Sequence, residues 1–465
     1  MFQTNRMTTA LVAAGVLAAS MSARADQLGD LEIAVQKLQA QIQELKAHQA
    51  ETDQKAATQQ AAVTAPSSPA MIFNPTPPTP TEGSMIGTAS ALPPVPRLLQ
   101  LQAAGGTFML YGDIDEYLNV MHSSKGITIK NLQDGAILRS RLGFVGSKDF
   151  GGGYGGSFAL ETGLNATNGT QADQPNANTT GLTSSGRLFD RQAWAGMTTP
   201  YGEVRVGRQN TEIFFGGNYI DYTERTLGSV VNSFGVPSRY DGDFSYNSPR
   251  IGGVQVAAHY AIGGGGQQTT SAANQGVFQL RADYVNGPFR AAYMGLVAKP
   301  ANGATDSRDV YYHNLYANYD YGLGTIYAVY IHSNNGGGAL NNTGGNEVGN
   351  IPTVLPGTST TVNAAYNIYQ VSADYRVTPT LRVGGLYGQI KDTANSAGDA
   401  SGWSLGAYWQ AFSNMMFYGL VDQMDNSRSA SFGLAGSAGL TKNFSGADLT
   451  GQRITGIQVG GLFRF

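Results

Sequence analysis

From Thr107 to Phe465, apolar and polar residues alternate with a period of two, and the alternating runs are joined by very short and very long connections. In "TFMLYGDIDEYLN", Phe108, Leu110, Ile114 and Leu118 fall on one face, and Tyr111, Asp113 and Asp115 on the other. In the last run Ile457, Val459, Phe463 and Phe465 share a face, with Gln458 and Arg464 opposite. Short turns stand at "NGP" (Asn286), "YGLG" (Tyr321), "TPT" (Thr378) and "SN" (Ser413), while long polar stretches cover 120–135, 165–186, 262–275, 334–364 and 424–450. The pattern predicts sixteen strands, the first near 107, the second near 136, the fourth near 187 and the last near 453. An even number of strands with both chain ends on the short-turn side is what a bacterial transmembrane barrel requires. Each run reaches the roughly 9–11 residues that a tilted strand needs to cross a bilayer. A soluble β-helix or a pair of sandwiches also alternates, but neither demands short turns at one end and long loops at the other. The predicted fold class is therefore all-β, a 16-stranded antiparallel transmembrane β-barrel spanning 107–465.

The residues ahead of the barrel read differently. Arg6, an apolar run over 10–19 and Ala23-Arg24-Ala25 form the pattern of an export signal cleaved after Ala25, giving a signal peptide over 1–25. The apolar run is too short for a membrane-spanning helix, which needs roughly 20 residues. Over 26–60 apolar residues recur in heptads, with Leu28, Val35 and Ile42 at position a and Leu31, Leu38 and Leu45 at d, predicting a periplasmic coiled-coil helix. Three heptads are weakly stable alone, so the helix needs partners or another surface to lie on. Residues 61–106, with "NPTPPTPT" at their centre, form a Pro/Ala/Thr-rich linker that buries too little apolar surface to fold. With 13% charged residues and a net charge of −3, the chain lacks the basic excess of a nucleic-acid binder. No cysteine is present, which excludes disulfides and thiolate metal sites.

Six motifs carry a resemblance. "LYGDID" at Leu110, "SRLGFVGSKDFGGG" at Ser140, "FALETG" at Phe158, "DRQAWAGM" at Asp190, "YGEVRVGRQNT" at Tyr201 and the terminal "GLFRF" resemble, in this order, the Gram-negative trimeric general diffusion porins. The resemblance covers the barrel but not the helix or spacer. It implies a homotrimer in the outer membrane, a third loop at about 210–238 folded into the lumen, and passive diffusion of ions and small hydrophilic solutes. Phe465 similarly resembles the aromatic carboxyl-terminal signal for outer-membrane assembly.

Candidate site residues follow from parity and from these motifs. The third-loop segment holds Glu212, Asp221 and Glu224, expected as the acidic side of a pore constriction. Parity turns Arg139 and Arg141 inward, since Leu138, Leu142 and Phe144 take the other face; Arg205 lies inward opposite Val204 and Val206. Arg191, Arg208 and Arg239 match basic pore positions by motif. Carboxylates facing guanidinium groups across a narrow pore would set up a transverse field that sorts ions. The chain departs from the family at Val145 and Ser245, where relatives tend to carry basic residues, so a less positive lumen and weak ion selectivity are expected. Tyr319, Tyr321, Tyr366, Tyr375 and Phe412 fall near strand ends, as expected of aromatic girdles.

No cofactor, metal or bond chemistry is expected. The five histidines show no paired ligand spacing, and no Gly-x-Ser-x-Gly elbow is present. Residues 151–156 match Gly-x-Gly-x-x-Gly, but the following "SFALETG" alternates as a strand, whereas a dinucleotide site needs a helix there. The glycines read as a hairpin turn. Two alternatives stay beside the general channel: a sugar- or anion-selective porin, and an added peptidoglycan-tethering role for the N-terminal helix.

Overall fold

The computed structural model describes residues 99–103, 105–171, 188–236, 239–262, 276–298, 309–334, 365–393, 398–437, 439–440, 444 and 446–465, together with Gln43. The export signal and the heptad positions Leu28, Leu31, Val35, Leu38, Ile42 and Leu45 lie outside the described residues, as does the linker up to residue 98.

Sixteen antiparallel strands follow one another around a closed barrel. They are β1 (Gly106–Ser123), β2 in two parts (Thr128–Asp134 and Arg141–Gly151), β3 (Tyr154–Asn165), β4 (Gln192–Thr199), β5 (Gly202–Asn210) and β6 (Arg239–Asn247). Then come β7 (Val254–Ala261), β8 (Val277–Asn286), β9 (Phe289–Ala298), β10 (Val310–Asp320) and β11 (Thr325–Ser333). β12 (Tyr366–Thr378), β13 (Leu381–Asp392), β14 (Ala400–Phe412), β15 (Met415–Asn426) and β16 (Arg453–Arg464) complete the wall. Each strand pairs with its sequence neighbours, and β16 pairs with both β15 and β1. Burial obeys the predicted alternation: on β1, Tyr111, Asp113, Asp115 and Asn119 point inward and are buried, while Leu118 and Val120 are exposed.

Closure centres on the chain end. Gly112 N donates to Phe465 O at 2.9 Å and Phe465 N donates back to Gly112 O at 3.0 Å. The Phe465 ring lies over the Gly112 α-carbon, where a Cβ would stand 2.3 Å from the ring and 2.8 Å from the Arg141 carbonyl oxygen. Only glycine fits that approach. Beyond Gly112, where β16 no longer reaches, the strand Leu99–Ala103 pairs with residues 106–110 of β1 and covers the remaining edge. β pairing thus begins ahead of Thr107.

Three local expectations change. The stretch 120–135 is not a long loop: β1 continues to Ser123, a tight turn follows, and β2 starts at Thr128. "TIKNLQD" sends Asn131 and Gln133 inward beside Ile129, and polar residues on both faces hide its period. β2 then breaks over residues 135–140, because the buried Asp115 carboxylate draws in the backbone amides of Ile137 (2.7 Å) and Leu138 (2.8 Å). Leu138, placed outside by parity, is buried with its neighbours instead. Tyr366 is likewise no girdle residue, since it packs inside against Phe234 and Phe432; Tyr319, Tyr321, Tyr375 and Phe412 are exposed on the wall. The triple glycine at Gly151, Gly152 and Gly153 is a tight turn with φ of 85°, 65° and 83°, which joins β2 to β3.

Gly112→Val is expected to destabilise the barrel by about 3 kcal/mol through overpacking at the closing contact. Heat-modifiable gel mobility of refolded protein checks this, and an unchanged midpoint would refute it.

Candidate functional site

The chain leaves β5 at Asn210 and does not return to the wall until Arg239; between them it folds into the barrel. Thr211 caps the short helix α1 (Glu212–Gly216) by accepting from Phe214 N at 3.0 Å. Ser229 caps a second, α2 (Val230–Phe234). Polar groups of the opposite wall hold the loop. Gln370 on β12 accepts from Val230 N (2.9 Å) and Val231 N (3.1 Å), two amides left free at a helix start, and donates to Asp221 Oδ2 at 2.7 Å. Asp221 also accepts from Thr223, Arg225 N and Ser229 Oγ. Tyr222 donates from its hydroxyl to Ser404 Oγ at 3.0 Å, and its carbonyl accepts from Arg382 Nη2 at 2.9 Å. Its ring fits against the wall because β13 carries Gly384 there, where a Cβ would lie 2.2 Å away.

The three loop carboxylates are therefore engaged with the wall from β7 to β13. Glu212 meets His259 Nε2 at 2.9 Å and the Arg281 guanidinium, while His259 Nδ1 meets Asp243 Oδ2 at 2.8 Å. Asp221 organises the turn described above. Glu224 lies 3.9 Å from Arg382, and both Glu224 (φ 64°) and Arg225 (φ 57°) adopt left-handed backbone, a conformation that costs non-glycine residues about 1 kcal/mol or more each. Asp221 and Arg382 hold that strained tip in place. Burial alone would raise the Glu212 carboxyl; the His259 hydrogen bond and the Arg281 charge outweigh it and bring the group down to about 2.

The six arginines gather on the wall from β2 to β6. Arg139 is 3.2 Å from Asp190, Arg141 is 3.3 Å from Asp113 and 3.7 Å from Glu161, and Arg191 is 2.5 Å from Glu161. Arg208 pairs with Asp241 at 2.8 Å, and Arg205 with Glu203 at 2.8 Å, its guanidinium over the Trp194 ring. Arg239 stacks on Phe214 of the loop with its carbon Cζ 4.6 Å from the ring centroid; it is 7% exposed, and its Nε and Nη2 have no hydrogen-bond acceptor among the described residues. Val145 and Ser245 also face the interior. Val145 packs with Met109, Tyr111, Ala159 and Trp194, and Ser245 donates to Gln209 at 2.9 Å.

Several interior groups escaped the sequence reading: His259, Arg281, Asp283, Arg290, Gln370 and Arg382. Parity within "VFQLRADYVN" already sets Gln279, Arg281 and Asp283 on one face, so that signal was present. Gln370 carried no signal, because its role depends on loop amides 140 residues away. The last loop also enters the interior: Phe432 packs on Phe234 and Tyr366, and Asn232 donates to the carbonyls of Ala435 (2.7 Å) and Gly436 (3.1 Å). Leu227 N and Ser437 N both donate to the Ala136 carbonyl in the β2 break. Third loop, last loop and strand break thus meet inside the barrel.

The Glu212 carboxyl, ordinarily at about 4.3 when unfolded, is depressed in the folded protein, so its contribution is full above that value and is lost as pH falls through about 2. Glu212→Gln is expected to make the third loop more sensitive to protease at neutral pH and to match the parent protein at about pH 2. Limited proteolysis with an acid-active and a neutral protease checks this; equal cleavage of both proteins at neutral pH would refute it.

The model of the Gram-negative porin family matches residues 99–429, well over half of the chain. An outer membrane porin protein of Bordetella pertussis is 29% identical over 234 residues, 46% of this chain and 56% of that protein. The major outer membrane protein P.IB of Neisseria lactamica is 26% identical over 210 residues, 43% of this chain and 56% of that protein. The chain thus spans a little over half the length of these curated relatives. Among solved structures, an anion-selective porin from Comamonas acidovorans superposes with a TM-score of 0.59 at 21% identity, over 77% of this chain and all of that one. OmpF of Salmonella typhi, in complex with daunomycin, superposes at 0.54 and 19% identity, over 79% of this chain and all of that one. At such identities the structures establish the same fold. With its closed sixteen-stranded barrel, inward third loop and matched family model, the chain belongs to the Gram-negative porins.

Proposed function

We propose that the protein is an outer-membrane porin, a water-filled channel for passive diffusion of ions and small hydrophilic solutes. The carrying observation is a closed barrel of this family whose interior holds charged side chains and an inward third loop. Such a lumen lowers the cost of taking hydrated solutes through hydrocarbon, and its width and lining charges set what passes. The reading assigns the protein no bond chemistry and no cofactor.

Arg139, Arg141, Arg191, Arg205, Arg208 and Arg239 form the proposed basic side of the path, and Glu212, Asp221 and Glu224 the proposed acidic side. Five of the six arginines have a carboxylate of their own wall within ion-pair distance. Opposite charges so close together largely cancel beyond a few ångströms, which favours weak ion selectivity. One observation favours a second reading, an anion-preferring channel: the buried Arg239 guanidinium has nitrogens without acceptors among the described residues.

The remaining proposals rest on the amino-terminal sequence and on the family. Export is followed by cleavage after Ala25, and the barrels assemble as a homotrimer among outer-membrane lipids, with Phe465 as the assembly signal. Residues 26–60 form a periplasmic coiled coil through Leu28, Leu31, Val35, Leu38, Ile42 and Leu45, and the linker lets it reach peptidoglycan. Three barrels would bring three such helices to one axis.

Purified protein in planar bilayers is expected to give ohmic conductance steps with a reversal potential near zero under a KCl gradient. Arg239→Ala should shift that potential toward cations. Absence of conductance would refute the channel, and strong selectivity of either sign would refute the weak-selectivity reading. Deleting residues 26–60 should leave the conductance unchanged and abolish co-sedimentation with peptidoglycan; loss of conductance in a correctly assembled oligomer would instead place the helix in the pore.

A further inference from the structure

Carboxylates inside the barrel are stabilised in one of two ways. Asp113, Glu161, Asp190 and Asp283 each have an arginine within ion-pair distance, while Asp115 and Asp221 accept three or more hydrogen bonds. Asp422 on β15 has neither. It is 1% exposed, and among the described residues it pairs with no cationic side chain and accepts one side-chain hydrogen bond, from Gln458 Nε2 at 3.2 Å. Its Oδ2 has no donor.

This carboxylate ends a polar row across four strands. Asn131 on β2 lies opposite Asn119 on β1, which lies opposite Gln458 on β16. Asn119 Nδ2 donates to Asn131 Oδ1 at 3.1 Å, and Gln458 Nε2 donates to Asn119 Oδ1 at 3.4 Å as well as to Asp422. Both amide hydrogens of Gln458 are thereby spent, and turning the amide over would set its oxygen against a carboxylate. Gln458 Oε1, on a fully buried residue, is left without a donor. Two groups in contact thus each carry a buried acceptor with no hydrogen to share, and one of the groups is an acid. Ser404 stands directly opposite Asp422 on β14, where its hydroxyl oxygen accepts from Tyr222.

The fold leaves room beside these atoms. At Gly456, the register partner of Asp422 on β16, a Cβ would stand 2.3 Å from Asp422 Oδ1 and 2.6 Å from Leu434 Cδ1. Leu434 belongs to the last loop and is buried with Phe432 and Ala435, so that loop roofs the row.

We propose that Asp422, Gln458 and Ser404 bind a sodium ion beneath the last loop. One carboxylate among neutral oxygens matches a singly charged ion, which leaves the group neutral. Calcium sites gather six to eight oxygens, and magnesium keeps its own waters; either would leave a positive charge buried here. The bathing solution supplies monovalent cations at about 0.15 M. Without the ion, closing the last loop over an unpaired carboxylate is costly, so occupancy of the site is coupled to closure of the loop. The site uses neither the arginine cluster nor the third-loop carboxylates, and it does not rest on the channel reading.

The test uses full-length protein in mild detergent, with hydrogen exchange read by mass spectrometry over residues 430–437 of the last loop. Sodium chloride replaces N-methylglucamine chloride at constant ionic strength. Exchange in the parent protein is expected to slow saturably, by about tenfold once sodium reaches about ten times its dissociation constant, while Glu212–Gly216 in the third loop is unchanged. Asp422→Asn, which removes the charge and keeps the shape, should lose the sodium response, and Gln458→Met should weaken it. Unchanged gel mobility of the unheated variants establishes that their barrels are closed. Equal exchange of the parent in the two salts overturns the proposal and leaves a proton as the group that neutralises Asp422. Equal slowing of both loops, or a sodium response retained by Asp422→Asn, overturns it as a general salt effect.

Discussion

A backbone amide in hydrocarbon has no water to turn to, and everything in this structure follows from satisfying that demand. The sheet must return to its own first strand, and it does so where Phe465 and Gly112 exchange both backbone bonds. Gly112 admits the terminal ring, and Leu99–Ala103 takes the edge beyond the chain end. Once the cylinder is closed, alternation sorts the side chains: one set faces lipid, and the other faces an interior where most of the buried charges described above take a partner of opposite sign.

The interior shows how such partners are found. Arginines on the β2–β6 wall take carboxylates from that same wall, while the loop carboxylates take His259, Arg281 and Arg382 from the far side. The third loop is consequently a strut between two walls. Gln370 satisfies helix amides that a loop crossing a lumen leaves bare, and it joins them to Asp221. Such satisfaction fixes one loop position, since any other leaves several buried polar groups without partners.

The outer wall has its own gradient. On β9 to β12 the row Ala291, Ala317, Ala328 and Val371 is apolar, the next row toward the long loops is rich in tyrosine, and the row beyond it holds His313, His332 and Asn367. A lipid layer with an apolar interior and a charged boundary imposes that order on any surface it touches. The same physics that hides charge inside the barrel thus writes the level of the membrane on its outside.

Much of this was legible in the chain itself. Period-two alternation with unequal connections is a local property, so the strand number, the closed barrel and the inward set of Asp113, Arg141 and Arg205 could be read directly. The first and last strand starts, expected near 107 and 453, fall at 106 and 453 for the same reason. Failures had two sources: Asp115 pulled residues 137 and 138 out of the β2 ladder, whereas Tyr366, assigned to a girdle from its place near a strand end, shares the inward parity of Ile368 and Gln370. The loop carboxylates were identifiable as acidic, but their partners were not, because pairing depends on distances between strands far apart in sequence. The amino-acid sequence by itself determined which residues face inward, since side-chain direction follows from position along a strand. Only the tertiary structure decided which of them meet, since that depends on how the closed barrel and its inserted loops bring distant residues together.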